Sequence, residues 1–139
     1  MKKSTFLKAF GLLSLLFVFA ACSKYEEGSN FTILTKKARM VNEWTLISYT
    51  VNGNAQTLNG TTTWDLKKDG QAVITASSGG FSFSDTGTWD FNSDKTKLVI
   101  TDSNGDIEEY TIIQLKNKDL KLQQTDDNDN VYVATYTGE

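Results

Sequence analysis

From Asn42 to the end of the chain, apolar and polar residues alternate in short runs that stop at regular intervals. A period of two is the pattern of a half-buried β-strand, and the runs are rich in the β-branched and aromatic residues that favour strands. We therefore predict a succession of short strands. They span 43–51, 61–67, 71–76, 81–84, 86–91, 97–102, 107–115, 120–124 and 131–137.

Turn signals separate these runs. Asn52-Gly53 and Asn104-Gly105 suit two-residue type I′ hairpins, and Lys68-Asp69-Gly70 suits a type I turn followed by a bulge. The short spacing, with no long helical pattern between strands, indicates consecutive antiparallel hairpins. The predicted class is all-β, an antiparallel up-and-down meander of about eight short strands, closed as a barrel or flattened into a sandwich. The absence of proline is compatible with central strands.

Alternation also predicts which side chains face the interior. The predicted inward positions are Trp44, Leu46, Ser48, Thr62, Trp64, Leu66, Ala72, Ile74, Ala76, Gly87, Trp89, Phe91, Leu98, Ile100, Tyr110, Ile112, Leu120, Leu122, Tyr132, Ala134 and Tyr136. One helix is predicted, over 32–41, where Ile33, Leu34, Ala38 and Val41 follow helical spacing. It would form a short lid at one end of the barrel.

The amino-terminal segment has a different pattern. Lysines occupy positions 2, 3 and 8, and an apolar block follows over 9–21, as in a secretory signal. As a helix this block is about 20 Å long, shorter than the bilayer core of about 30 Å. The run "FAAC" that ends at Cys22 resembles the bacterial lipobox, with Phe19 where leucine is usual. The resemblance implies cleavage before Cys22 and lipid attachment to it; the alternative is an ordinary secreted protein.

These observations divide the chain into a signal peptide over 1–21, an anchor and flexible tether over 22–31, and one barrel domain over 32–139. Within the tether, "KYEE" resembles a signal that sends lipoproteins of the Bacteroidetes type to the cell surface; the alternative is a solvated linker. We expect an outer membrane lipoprotein, and the pattern leaves open whether it faces the cell surface or the periplasm.

Four longer segments carry a second resemblance. The order "EWTLISYTVNG", "TWDLKKDGQAVI", "GTWDFNSDKTKLVIT" and "EYTIIQLKNKDLKL" resembles the small lipocalin-like domains of Bacteroidetes lipoproteins. Trp44 matches a tryptophan that closes the base of the barrel in that family. Asn42 stands where the family usually has glycine, and no arginine near Tyr136 matches the one that packs over that tryptophan in lipocalins. The resemblance implies a small lipocalin-like barrel and ligand binding.

Charge excludes some partners. The chain has 14 basic and 17 acidic residues, and cleavage before Cys22 would remove three lysines and leave a net charge of −6. Such a domain repels nucleic acid and anionic head groups. Membrane attachment is therefore expected through acyl chains on Cys22, which hold firmly when two or more are present.

The residues offer little catalytic chemistry. The chain has no histidine, which excludes imidazole metal sites and histidine-based triads. A hydrolase could use paired carboxylates, but Glu108 and Glu109 are adjacent on a predicted strand and point to opposite faces. The run 125–130, "TDDNDN", could supply oxygen ligands to Ca²⁺, or it could form a hairpin turn. We expect no enzyme activity, no cofactor and no bound metal.

Two functions remain. In the first, the barrel holds a small apolar ligand, and Trp44, Trp64, Trp89, Phe91 and Tyr110 line the site; the alternative is that these rings are core. In the second, the barrel is a non-enzymatic interaction module, including a hydrolase inhibitor, that binds protein or glycan through loops 52–60, 77–85 and 125–130. In both cases we expect a monomer.

Overall fold

A computed structural model of the chain describes residues 34–139. One short helix, α1 (Lys36–Met40), precedes nine strands. The strands are β1 (Asn42–Val51), β2 (Asn54–Ala55), β3 (Thr61–Leu66), β4 (Gln71–Ser78), β5 (Phe81–Phe91), β6 (Lys97–Thr101), β7 (Ile107–Leu115), β8 (Asp119–Thr125) and β9 (Val131–Gly138). Cys22 and the rest of residues 1–33 lie outside the described residues.

The sheet closes on itself. From β3 to β9 each strand pairs antiparallel with the next in the chain, and β1 pairs with both β3 and β9. The short β2 forms a hairpin with the end of β1 and stays outside this ring. The structure confirms an all-β, up-and-down barrel of eight strands plus one extra strand, and it excludes the sandwich. The segments predicted separately at 81–84 and 86–91 form one continuous strand, β5.

The two ends of the barrel differ. At the end where β1 begins, which we call the closed end, α1 lies with the turns 67–70, 92–96 and 116–118. At the opposite end, the open end, the connections are 52–60, 79–80, 102–106 and 126–130. Because consecutive strands of the ring are antiparallel, successive connections between them lie at opposite ends of the barrel.

Helix α1 packs on the closed end through its last two residues. Thr35 caps the helix, since its Oγ1 accepts a hydrogen bond from the Ala38 N–H at 3.1 Å. Arg39 and Met40 are buried, and Arg39 donates from Nη1 to the Leu115 carbonyl at 3.1 Å. The predicted apolar face was wrong in detail, because Leu34 and Ala38 are exposed. Within residues 34–139, no helix has the length and apolar character needed to cross a membrane.

The interior follows the predicted alternation except where β1 and β7 carry bulges. In β1, Leu46 pairs with Tyr136 and Ser48 with Thr135, so Ile47 is an extra residue. An extra residue reverses the facing of everything after it. The prediction that Ser48 faces inward was therefore wrong: Ser48 is exposed, and Tyr49 takes the inward position.

The bulge in β7 has the same effect. Ile112 pairs with Leu122 and Gln114 with Lys121, and beyond this irregularity Leu115 faces the core, where it is fully buried. Strict alternation from Ile112 would have pointed Gln114 inward instead. Burying an amide without a partner is unfavourable, so the bulge places the apolar residue where the core requires it.

The turn predictions were confirmed at two of three places. Asn52 and Gly53 both have positive φ, 51° and 79°, as a type I′ hairpin requires. At Gly70 (φ 90°) the N–H bonds the Lys67 carbonyl, which is the predicted type I turn with a bulge. The type I′ prediction at Asn104-Gly105 was wrong. Only Gly105 has positive φ there, and its N–H bonds the Asp102 carbonyl in the same way as at Gly70.

Candidate functional site

A cavity of about 220 Å³ lies inside the barrel toward the open end. We call it the cup. Most of its wall is aromatic, and the lining includes Leu46, Tyr49, Trp64, Tyr110, Tyr132 and Tyr136. These residues come from β1, β3, β7 and β9, so the cup exists only once the barrel has closed.

The rings of the cup pack against one another in two groups. Trp64 lies between Tyr110 and Tyr136, with centroids 5.2 Å from each. Tyr49 stacks on Tyr132 with centroids 6.2 Å apart; Tyr49 pairs with Ala134, so the two tyrosines are diagonal neighbours across β1 and β9. Mutual packing of this kind fixes the rings and presents their faces and edges to the cavity.

Two tyrosine hydroxyls of the cup donate to carboxylates at its rim. The Tyr110 hydroxyl bonds Oε2 of Glu108, two residues away on the same face of β7. The Tyr132 hydroxyl bonds Oδ2 of Asp126 at 2.8 Å. Burial, and then the bond to Glu108, raises the pKa of Tyr110, and the bond to Asp126 raises the pKa of Tyr132. Both phenols therefore keep their protons and act as donors at neutral pH.

Asp126 also organises the turn 126–130. Its Oδ1 accepts hydrogen bonds from the backbone N–H groups of Asn128 and Asn130 at 2.9 Å, and its Oδ2 accepts one from Asn130 Nδ2. Hydrogen bonds from Asn130 are the main reason that the pKa of Asp126 falls to about 2. This geometry matches the hairpin-turn interpretation of "TDDNDN". Within 34–139, no three or more carboxylate or cysteine side chains are grouped to hold a metal.

A larger apolar groove of about 420 Å³ lies beside the cup at the open end. We call it the groove. It lies between the segment 57–62 and the β4–β5 hairpin, and its lining includes Leu46, Leu58, Ala76, Phe81 and Phe83. Leu46 lines both the cup and the groove. The two spaces therefore adjoin each other at Leu46.

The pairing of β5 with its neighbours explains why Phe81 and Phe83 are exposed to solvent. The strand pairs with β4 from Phe81 to Thr88, but with β6 only from Thr88 to Phe91. Phe81 and Phe83 have the same inward facing as Trp89, yet they lie beyond the end of β6. Their side chains are accordingly 84% and 70% exposed. An exposed aromatic pair beside an apolar groove marks a surface suited to binding.

Close backbone contact holds the groove in shape. A Cβ on Gly60 would overlap the Ser77 carbonyl oxygen, so the chain just before β3 approaches the end of β4 at a distance that only glycine allows. The Ser78 hydroxyl donates to the Asn59 carbonyl at the same place.

The five residues predicted to line a ligand site lie in two places. Trp64 and Tyr110 line the cup. Trp44, Trp89 and Phe91 lie toward the closed end, where Trp44 donates from Nε1 to the Met40 carbonyl at 2.9 Å and Trp89 from Nε1 to the Lys67 carbonyl at 2.8 Å. Phe91 packs edge-on against Trp89, with centroids 5.8 Å apart. At the closed end these rings therefore pack in the core, and the two indole N–H groups donate hydrogen bonds to backbone carbonyls.

Sequence reasoning left out several residues of the site. Tyr132 and Tyr136 were predicted to face inward, so the signal was present, but they were not assigned to a site. Tyr49 had no such signal, because the bulge at Ile47 reverses its facing. The loop 77–85 was predicted to bind partners, and the structure places its two phenylalanines, Phe81 and Phe83, on the groove.

Comparison with known proteins agrees with this architecture. A family model described as a lipocalin-like domain matches residues 40–122, which is more than half of the chain. No curated protein matches the sequence.

Proposed function

Because the chain belongs to the lipocalin-like domain family, we propose that it is a binding protein that holds a small, largely apolar ligand at the open end of its barrel. The observation that carries the proposal is the aromatic cup with the apolar groove that adjoins it at Leu46. The barrel supplies the rigid wall, and the β4–β5 hairpin supplies the exposed aromatic edge.

The size of the two spaces bounds the ligand. Small-molecule sites are usually about 300–1,000 Å³. The cup alone, at about 220 Å³, is smaller than this range, whereas the groove, at about 420 Å³, falls within it. We therefore propose that the ligand inserts one end into the cup and lays the remainder along the groove, where Phe81 and Phe83 cover it.

A neutral fluorescent probe tests this site. We expect N-phenyl-1-naphthylamine to bind with a stoichiometry of one and with enhanced fluorescence. Covering half of each phenylalanine contributes about 1 kcal/mol, so the double change Phe81→Ser and Phe83→Ser should weaken binding by about 2 kcal/mol, or roughly thirtyfold. Both residues are largely exposed, so the free energy of unfolding should change little.

The matched control for that titration is Ile113→Ser, which removes an exposed apolar residue of β7 that does not line the cup or the groove. Its affinity for the probe should equal that of the unchanged protein. Equal weakening in Ile113→Ser and in the double variant would place the probe elsewhere and would contradict the proposed site.

We further propose that the protein works as an outer membrane lipoprotein anchored by acyl chains on Cys22. The support lies in the order of lysines, apolar block and "FAAC" at the amino terminus. Metabolic labelling with an alkyne fatty acid should mark the protein, and Cys22→Ser should abolish the label and release the protein from the membrane fraction. Ser23→Ala, one residue further on, should keep the label. A label that persists in Cys22→Ser would refute the anchor.

A second candidate function is binding of a protein or glycan through the open-end loops. The exposure of Phe81 and Phe83 favours it, because apolar side chains on a rigid hairpin often form contacts with partners. The probe titration separates the two candidates. Failure of the neutral probe to bind, together with a stoichiometric macromolecular partner that is lost from the double phenylalanine variant, would support the second candidate over the first.

In both candidates the proposed role is non-catalytic and the proposed state is a monomer. The two carboxylates nearest the cup, Glu108 and Asp126, accept hydrogen bonds from tyrosine hydroxyls, an arrangement that suits recognition.

A further inference from the structure

The charges of the described residues are divided between the two ends of the barrel. Every lysine and arginine of residues 34–139 lies on α1, in the turns 67–70, 92–96 and 116–118, or within the first three residues of β6 and β8. All of these positions belong to the closed end. Acidic residues are present at both ends, so among the described residues the charged side chains of the open end are all carboxylates.

Seven carboxylates surround the open end. Five lie in the turns 102–106 and 126–130, and the others are Asp85 on β5 and Glu108 on β7. Asp85 pairs with Ile74, whose side chain packs against the core, so it shares the inward face of the hairpin. A cluster of one sign beside a low-dielectric cavity raises the local concentration of opposite charge.

Two of these carboxylates contact the wall of the cup directly. Glu108 and Asp126 accept hydrogen bonds from the hydroxyls of Tyr110 and Tyr132, both of which line the cavity. The hydrogen bond from Tyr110 leaves Glu108 with further acceptor capacity. Asp126 already accepts four hydrogen bonds, so it contributes its negative charge at the rim and no further acceptor. The faces of Trp64 and of the tyrosines also attract cations, because their π-systems are negative at the face.

An anionic ligand would meet the opposite situation. The carboxylate of a fatty acid, bound with its tail in the cup or the groove, would lie among the carboxylates of the open end, while the described basic side chains stand at the other end of the barrel. Like charges without a partner disfavour binding.

We propose that the ligand of the cup and groove is an organic cation, an amine or quaternary ammonium with an apolar body. The inference rests on the proposed function and adds the charge of the ligand to it. The apolar body occupies the groove and the cup, and the cationic group lies at the rim, against Glu108 and Asp126.

Three probes with one naphthalene body test this assignment: 2-naphthylmethylamine, 2-naphthylmethanol and 2-naphthoate. Calorimetric titration of the purified protein at pH 7 and low salt should show the highest affinity for the amine, a lower affinity for the alcohol and the lowest for the carboxylate. We expect the affinity for the amine to exceed the affinity for the alcohol about tenfold, since a partly exposed ion pair and cation–π contacts together contribute on that order. Addition of 0.5 M salt should reduce this preference and leave the alcohol unchanged.

Neutral variants locate the cation. Glu108→Gln should weaken binding of the amine about threefold to fivefold, because one partly exposed charge partner is lost, and should leave binding of the alcohol unchanged. Glu43→Gln makes the same change at the exposed start of β1, at the closed end, and should have no effect. Asp126→Asn and its closed-end control Asp119→Asn form a second pair. Because Asp126 holds its turn together, its variant is compared after its thermal stability has been measured.

The outcomes separate this inference from the proposed function. If the alcohol binds as tightly as the amine, or the carboxylate binds best, the cationic ligand is refuted while a ligand site remains. If an amine preference persists in both Glu108→Gln and Asp126→Asn, the assigned rim is wrong. If none of the three probes and no neutral probe binds, the proposed function fails and the inference fails with it.

Discussion

Replacement of Trp44 by alanine should lower the free energy of unfolding by about 4 kcal/mol, the largest effect that we expect from a single truncation in this chain. Trp44 is fully buried in the core at the closed end, and its indole N–H bonds the Met40 carbonyl at the end of α1. The substitution removes the ring, leaves a cavity, and detaches the helix from the base of the barrel. Urea denaturation followed by circular dichroism measures the change.

Trp44→Phe separates the ring from its hydrogen bond. Phenylalanine keeps most of the apolar contact but leaves the Met40 carbonyl without this donor, so a smaller loss of about 1–2 kcal/mol is expected. A loss in Trp44→Phe as large as in Trp44→Ala would mean that the hydrogen bond matters more than the packing. A loss below about 1 kcal/mol in Trp44→Ala would show that the closed end is not the centre of the core.

The second large effect should come from Gly87→Ala in the middle of β5, with a loss of about 3 kcal/mol. Gly87 has ordinary extended backbone, so the substitution introduces no conformational strain at the residue itself. A Cβ there would instead overlap the carbonyl oxygen of Thr101, at the point where β6 leaves β5. Backbone atoms cannot rotate away as a side chain can, so the two strands must separate.

The control for Gly87 is Gly79→Ala at the tip of the β4–β5 hairpin. Gly79 has φ of +58° with no atom within 4 Å of an added Cβ. Alanine there therefore introduces only the strain of a left-handed backbone conformation, about 1 kcal/mol. The two variants therefore separate steric overlap from backbone strain. Equal losses in the two would contradict the close approach of β5 and Thr101. Both are read from urea denaturation midpoints at constant slope.

The register of the strands decided which predicted residues reached the candidate site. Alternation placed Trp64, Tyr110, Tyr132 and Tyr136 inward, and the structure confirms each of these facings. It failed for Ser48 and Leu115, because each follows a bulge, and a bulge is settled by the pairing of two strands that are distant in the chain. No local sequence pattern around Ile47 or Ile113 predicts the extra residue of the bulge.

The division of the aromatic residues between core and cup was also outside the reach of local patterns. Trp44, Trp64 and Trp89 all occupy inward positions, on β1, β3 and β5. Whether each ring also lines the cup depends on strand pairing and on where α1 packs. Trp44 and Trp89 lie toward the closed end with backbone acceptors for both indole N–H groups, whereas Trp64, which pairs with Trp44, lies with the tyrosines in the lining of the cup.

The sequence by itself determined the fold class, the up-and-down order of the strands and most of the inward positions, because alternation and turn chemistry act between neighbours in the chain. Tertiary structure alone decided that the sheet closes between β1 and β9, that Tyr49 joins the cup, and that Phe81 and Phe83 stand beyond the end of β6. Within residues 34–139 it also placed the basic side chains at one end of the barrel, so that carboxylates are the charged side chains of the other end. These features depend on pairings between residues far apart in sequence, whose cost in chain entropy is repaid only when the whole barrel forms.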